Sequence, residues 1–231
     1  MVLALGIAAP TAMFAVVRAA LLKPLPYPNA HEIYNVRTTM TNGRFTIGLV
    51  GSEEIASMRR STRLVTRDGM YYRTEGSIGD TGEQARLVNV TLVSEGFFDL
   101  FGVPMAMGRA PKEEDFKANA VRAAVLSTRV WRSVFSSDPG VVGRTVRLVN
   151  AQPVVVVGVA PESFDAPHDT DLWLATHWDE SVGYLLEAYV RFAPGASVKT
   201  WSHERMSLPA CAPSAVSDVN ETFDAPEPKK T

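Results

Sequence analysis

Cysteine is almost absent from this sequence of 231 residues, and the sequence has no excess of positive charge either. The one cysteine, Cys211, excludes a disulfide within the chain and a zinc site built from cysteines, and no histidine pattern beside it indicates a catalytic thiol. Lysine and arginine number 23 against 25 aspartate and glutamate residues, and the resulting net charge of −2 offers no footprint for a nucleic-acid partner.

Motifs for nucleotide and hydrolytic chemistry are missing as well. The sequence contains no G-x-x-x-x-G-K-[ST] loop to hold phosphates, no H-E-x-x-H zinc helix and no G-x-S-x-G nucleophile turn. We therefore predict that the protein is not an enzyme and has no catalytic, cofactor-binding or metal-binding residues. Any ATP hydrolysis would have to take place in a separate subunit.

A long apolar run occurs once, at residues 1–22, where Thr11 and Arg18 are the only residues that are neither apolar nor small. As a helix rising about 1.5 Å per residue, this run would measure about 33 Å, enough to cross a hydrocarbon core of about 30 Å. Arg18 lies about one turn from its end, so the side chain can reach the lipid headgroups. We predict a transmembrane helix over residues 1–23.

A proline-rich segment, residues 23–28, follows the run. Its three prolines end the helix, favour an extended backbone and place Lys23 and Tyr27 at the depth of the membrane interface. Two other interpretations stay open at this point. The run could be a buried helix of a soluble protein or a cleaved signal peptide, although no basic region precedes it.

Alternation of apolar and polar residues predicts several strands downstream. The clearest is Arg86–Val93, in which Val88, Val90 and Leu92 alternate with polar residues and should bury one face. Other predicted strands are 31–36, 121–126, 145–149, 153–159 and 184–192, with weak strand character at Val65 and 70–73 and a short apolar segment at 172–174. Residues 75–83 are predicted to form a loop, and Asn150-Ala151 the turn of a hairpin.

Short helices are predicted between the strands. Ser52, Ser94 and Ser127 are each expected to cap a helix, and Gly102 should end the second one in the left-handed conformation. These elements predict an α+β fold with short helices packed on a sheet. Beyond about residue 200, proline, serine and charge dominate, so we predict a disordered tail over residues 199–231.

Two polar clusters are candidates for a site. One is the acidic run Glu113-Glu114-Asp115, and the other is the segment His168-Asp169-Thr170-Asp171, beside Glu162 and Asp165. Such residues could serve a metal or an acid–base reaction, but neighbouring carboxylates rarely converge on one ion without a turn motif. Solvated loops are the plainer interpretation of both clusters.

Several blocks of the sequence resemble one known family. LALGIAAPTAMFAVVRAALLKPLPYP is followed in order by FFDLFGV, DPGVVGRTVRL, VVGVAPESF and DLWLA. These blocks are similar to MacB-like (FtsX-type) permeases of bacterial ABC transporters, in which a first transmembrane segment leads into a periplasmic core domain. The resemblance covers residues 3 to about 198. Pro10 departs from the pattern, since the family usually has a polar residue there, and the basic lead-in before the helix is missing.

The resemblance implies three segments: a transmembrane helix at residues 1–23, a periplasmic core domain at 24–198 and a tail at 199–231. It implies a single-pass protein of the inner (plasma) membrane whose main domain lies outside the cytoplasm and relays ATP-driven motion for export or efflux. The implied partners are a separate ATP-binding subunit, membrane lipid, other permease helices or a second permease copy, and periplasmic proteins.

The family pattern continues with more of the core domain, a second transmembrane helix and a carboxyl-terminal helical bundle, so we interpret the chain as an amino-terminal fragment or a shortened relative. Two other functions stay open on the sequence. The chain could be a membrane-tethered binding or structural module without transport activity, or a secreted hydrolase that uses His168 and Asp171.

Overall fold

The computed structural model describes residues 27–36, 38–39, 46–47, 49–61, 64–79, 85–148, 152–179 and 182–196. The predicted transmembrane helix, the hairpin turn at Asn150-Ala151 and the tail with Cys211 lie outside the described residues. Within the described ranges, no helix combines the length and the apolar character needed to span a bilayer.

Strands dominate the described part of the chain, with three short α-helices between them. The strands are β1 (Ile33–Val36), β2 (Thr38–Thr39), β3 (Thr46–Ile47), β4 (Val50–Gly51), β5 (Val65–Ile78), β6 (Arg86–Val93), β7 (Met107–Gly108), β8 (Ala123–Leu126), β9 (Thr145–Val146), β10 (Val154–Val159), β11 (Leu172–Ala175) and β12 (Leu185–Phe192). The α-helices are α1 (Ser52–Ser61), α2 (Phe97–Phe101) and α3 (Thr128–Val134), and 3₁₀ turns occur at Ala30–Glu32, Glu113–Phe116 and Pro139–Val141.

Ten of the described strands form one mixed sheet in the order β1-β12-β5-β6-β11-β8-β10-β7, with β4 paired to β12 and β9 paired to β10. The β6–β11 and β8–β10 pairs are parallel, and the other pairs of this sheet are antiparallel. β2 and β3 pair antiparallel in a separate two-stranded sheet. A mixed sheet that carries short helices confirms the predicted α+β arrangement.

Helices cover both faces of the sheet. Because successive side chains of a strand point to opposite faces, Tyr71, Val93 and Trp173 lie on one face, where they pack with α2. We call the face that carries these three residues the exit face. The opposite face carries α3 and α1, and its buried residues include Val90, Leu126, Leu172 and Leu174 near α3 and Met70, Leu186, Ala188 and Val190 near α1.

Because helices cover both faces of the sheet, the burial of β6 differs from the prediction. Its bounds, Arg86–Val93, match the predicted strand. The expectation of a single buried face is wrong, because Thr91 on the exit face is only 1% exposed and shares a hydrogen bond of 2.8 Å with the hydroxyl of Thr170.

β5 is the largest correction to the predicted strands. Weak strand character at Val65 and 70–73 becomes one strand of 14 residues, and the predicted loop at 75–83 is wrong as far as Ile78. β6 pairs with β5 residue by residue out to Ile78 and Arg86. Pairing with a strong neighbour therefore overrides the weak local signal.

The helix caps are confirmed at one serine and wrong at two. Ser127 accepts a hydrogen bond from the backbone N–H of Val130 at 3.2 Å, as a cap should. Ser94 instead accepts one from the N–H of Met70 at 2.9 Å, and Ser52 donates to the carbonyl of Val182. Both hydroxyls are used to join neighbouring segments, so they are not available to the helix starts.

Candidate functional site

The exit segment, Tyr27–Glu32, lies on the exit face of the sheet. Tyr27 is 6% exposed, and its ring packs edge-on against Phe101 and Phe164 at centroid distances of 5.1 and 5.8 Å. The Tyr27 hydroxyl accepts a hydrogen bond from the backbone N–H of Asp165 at 3.2 Å. Tyr27 is thus part of the protein core, whereas the sequence interpretation placed it at the membrane interface.

Arg191 of β12 is a buried charge directly under the exit segment, at 7% exposure. Its guanidinium donates hydrogen bonds to the backbone carbonyls of Pro28 at 3.0 Å, Asn29 at 3.3 Å and Leu100 at 2.8 Å. It also forms an ion pair of 3.0 Å with the carboxylate of Glu32. One side chain therefore joins the exit segment, β12 and the end of α2.

Local backbone geometry explains how these acceptors converge. Asn29 adopts a left-handed conformation at φ 51° and starts the 3₁₀ turn Ala30–Glu32, which brings the Glu32 carboxylate back to Arg191. α2 ends at Gly102, also left-handed at φ 63° as predicted, and its last carbonyls lack partners within the helix. The planar fork of arginine presents five N–H donors in a fixed geometry, which suits several such oxygens at once.

Gly69 lets α2 approach β5 at this point. A Cβ added to Gly69 would lie 2.8 Å from the Cα of Phe97, so any larger residue would push the helix away from the sheet. The four apolar residues of α2, predicted to give it its core contacts, are all buried: Phe97, Phe98, Leu100 and Phe101.

Stacked and edge-on aromatic rings surround the site. Tyr71 and Tyr189 stack at 4.9 Å with an angle of 13° between their planes, and the Tyr71 hydroxyl donates to Glu187 at 3.0 Å. Burial raises the pKa of Tyr27 to about 12 and also raises the pKa of Tyr71 and of Tyr189. All three phenols therefore stay neutral in ordinary buffers and act as hydrogen-bonding core residues.

The predicted polar cluster at 162–171 lies beside this aromatic core but is engaged in structural contacts. Asp171 accepts hydrogen bonds from the Asn89 N–H at 3.0 Å and from Arg129 at 2.9 Å. His168 pairs with Asp165, and Glu162 pairs with Arg132 at 3.0 Å. Among the described residues, no group of three or more potential ligands is placed to hold a metal ion.

In the acidic run at 113–115, the third residue, Asp115, is also engaged in structural contacts. Asp115 pairs with Arg109 and accepts a hydrogen bond from the N–H of Lys112 at 2.7 Å. Burial alone would raise the pKa of Asp115, but the hydrogen bonds from Arg109 and Lys112 lower it overall.

A cleft of about 720 Å³ opens where β6 and β11 end. Its walls carry both signs of charge, with Arg67 and Lys117 alongside Glu95, Asp99 and Glu113. That mixture does not point to one class of ligand.

Sequence reasoning missed the buried ion pair of Arg191 and Glu32. The segment around Arg191 correctly indicates a strand, but the hydrogen-bond partners of Arg191 lie 91 to 163 positions away in the chain. No local pattern marks an arginine that will be buried by such distant partners.

Comparisons with known proteins concern the fold. The family described as MacB-like periplasmic core domain matches residues 1–204. Among curated proteins, none matches the chain.

Three solved structures share the fold. A domain of a protein assigned as a permease from Porphyromonas gingivalis is 16% identical, with a TM-score of 0.58 over 77% of this chain and 79% of that one. The extracellular domain of the noncanonic ABC-type transporter YknZ from Gram-positive bacteria is 14% identical, with a TM-score of 0.55 over 74% and 88%. The periplasmic region of MacB from Actinobacillus actinomycetemcomitans is 16% identical, with a TM-score of 0.55 over 74% and 78%.

Proposed function

Because the chain belongs to the MacB-like periplasmic core domain family of ABC-type transporter permeases, we propose that it acts in export or efflux as a non-enzymatic permease subunit. ATP hydrolysis in a separate cytoplasmic subunit would move the predicted transmembrane helix at residues 1–23. The exit segment would carry that movement to the domain outside the membrane. Residues 24–198 would form that domain, and 199–231 a tail.

The observation that supports this proposal is the attachment of the exit segment. A flexible linker would absorb a displacement of the helix, whereas Tyr27 is fixed in the aromatic core and Arg191 binds the carbonyls of Pro28 and Asn29. A displacement at residue 27 would therefore move α2 and β12 with it.

The contacts of the polar cluster at 162–171 argue against the hydrolase alternative. A catalytic acid or base must be free to exchange a proton with a substrate, whereas Asp171 is held by Arg129 and by the N–H of Asn89. Replacing His168 and Asp171 and assaying any candidate hydrolase activity tests that alternative. Unchanged turnover would remove it.

The proposed transport role predicts a conditional association with the ATP-binding subunit. We expect a tagged copy of this chain to recover that subunit from membranes that also contain a fuller copy of the permease, and not from membranes that contain this chain alone. The reason is that residues 1–23 supply a single predicted membrane helix for contact with that subunit. The measurement is affinity purification followed by detection of the ATPase.

Two outcomes of this purification would count against the proposal. Recovery of the ATPase with this chain alone would contradict the need for a fuller permease. Recovery of the ATPase from neither sample would contradict the transport role itself.

A further inference from the structure

Residues 160–171, the loop between β10 and β11, connect the exit segment to the opposite face of the sheet. We call this loop the strap. At its tip, the Phe164 ring packs on Tyr27, and the N–H of Asp165 donates to the Tyr27 hydroxyl. At its base, the strap reaches α3, which lies on the face opposite the exit segment.

Hydrogen bonds run without a gap from the tip of the strap to its base. The Asp165 carboxylate accepts from the N–H of Asp169 at 2.8 Å and pairs with His168. The Asp169 carboxylate in turn accepts from Arg129 of α3 at 2.6 Å and from the side chain of Asn89 at 3.0 Å. Tyr27 and Arg129 are thus joined through two aspartates of the strap.

The base of the strap is tied to three elements. The Asp171 carboxylate accepts from Arg129 and from the N–H of Asn89 in β6, and the Asp171 carbonyl accepts from the N–H of Ser127 at 2.9 Å. The Thr170 hydroxyl meets that of Thr91 at 2.8 Å. A change in the conformation of the strap would therefore alter its hydrogen bonds with β6, with the end of β8 before α3 and with α3 itself.

Two surface grooves share the strap as a wall. One groove of about 500 Å³ is lined by Asn89, Asp169 and Thr170, among others. The second, of about 480 Å³, is lined by Arg129, Asp165 and Thr170, among others. Because both grooves include strap residues, a shift of the strap would change the shape of both.

We propose that the strap is a conformational link that couples the position of the exit segment to α3 and to these two grooves. The strap is suited to this because the carboxylates of Asp165 and Asp169, which join its tip to its base, are 47% and 55% exposed and can rearrange, whereas the packed sheet beside them resists deformation. Its role in transport rests on the proposed function. The coupling itself is a property of this chain and can be measured without any partner.

Hydrogen exchange on the full chain tests the coupling, since spatial connection alone does not demonstrate it. Arg129→Ala removes the ion pairs at the base and should not unfold the protein, because the Arg129 side chain is 54% exposed. We expect faster exchange in the strap and also, by about threefold or more, at the N–H of Glu32 in the exit segment.

Arg86→Ala is the matched control. Among the described residues, Arg86 donates to the Ser133 carbonyl in α3 at 3.2 Å and forms no hydrogen bond or ion pair with the strap. Exchange in the exit segment of this variant should equal that of the parent chain. An Arg129→Ala variant that loosens the strap and leaves the exit segment at the parent rate, or at the Arg86→Ala rate, would overturn the proposal.

The reverse direction uses Tyr27→Phe, which keeps the ring and removes only the hydroxyl that accepts from Asp165. Coupling predicts faster exchange at the N–H of Asp171, at the base of the strap, as well as at Asp165. An effect confined to Asp165 would show that the strap does not transmit the change. Neither result depends on recovery of an ATPase, so failure of the strap and failure of the transport role can be told apart.

Discussion

Arg191→Met is expected to lower the free energy of unfolding by about 3–5 kcal/mol. The substitution leaves the Glu32 carboxylate, which is 12% exposed, without its ion pair. It also removes the donor to the carbonyls of Pro28, Asn29 and Leu100. The buried Glu32 carboxylate without its ion pair, and the Pro28 and Leu100 carbonyls without their donor, account for the size of the loss. Urea denaturation of the full chain measures it.

Arg73→Met provides the matched control for this prediction. Arg73 lies on the neighbouring strand β5 and pairs with Glu187, but its side chain is 58% exposed, so we expect a loss of about 1 kcal/mol or less. Adding Glu32→Gln to Arg191→Met should recover part of the stability because it removes the unpaired charge. Equal losses for Arg191→Met and Arg73→Met would show that the buried arginine does not hold the exit segment.

Gly158→Ala is expected to destabilise the chain by about 3 kcal/mol, at the upper end for overpacked cores. A Cβ at this position of β10 would overlap the carbonyl oxygen of Arg109 and lie 3.1 Å from that of Met107. Neither backbone oxygen can move without separating β7 from β10, which pair at Gly158. Thermal and urea unfolding of the variant would report the change.

Gly183→Ala is the control for the glycine prediction, because nothing lies within 4 Å of the position that a Cβ would take there. We expect a change in the free energy of unfolding within about 0.5 kcal/mol. A Gly158→Ala variant as stable as Gly183→Ala would mean that β7 does not lie against β10 in solution.

Elements with a strong local pattern could be predicted from the sequence. Arg86–Val93 has the alternation of a strand and is one, and the aromatic cluster after Ser94 forms a buried helix that ends at Gly102. β5 could not be predicted in full, because its second half is stabilised by pairing with β6 and not by its own residues.

The candidate site illustrates the same limit at the level of side chains. The sequence drew attention to His168 and Asp171 as polar residues, but their partners Asp165, Arg129 and Asn89 assign them to a structural strap. Contacts between residues far apart in the chain decide whether a polar residue is reactive or structural. These contacts exist only once the sheet has formed.

The central claim is that the described domain lies outside the cytoplasm, attached through the exit segment to a membrane helix. The direct measurement is labelling of a Val121→Cys variant, in a Cys211→Ser background, with a membrane-impermeant maleimide in intact spheroplasts. Val121 is 67% exposed, and Ala124→Cys, at a position that is 0% exposed, is the control that should react only after unfolding. We predict that the Val121→Cys variant reacts as fully in intact spheroplasts as after lysis, and reaction only after lysis would contradict this placement of the domain.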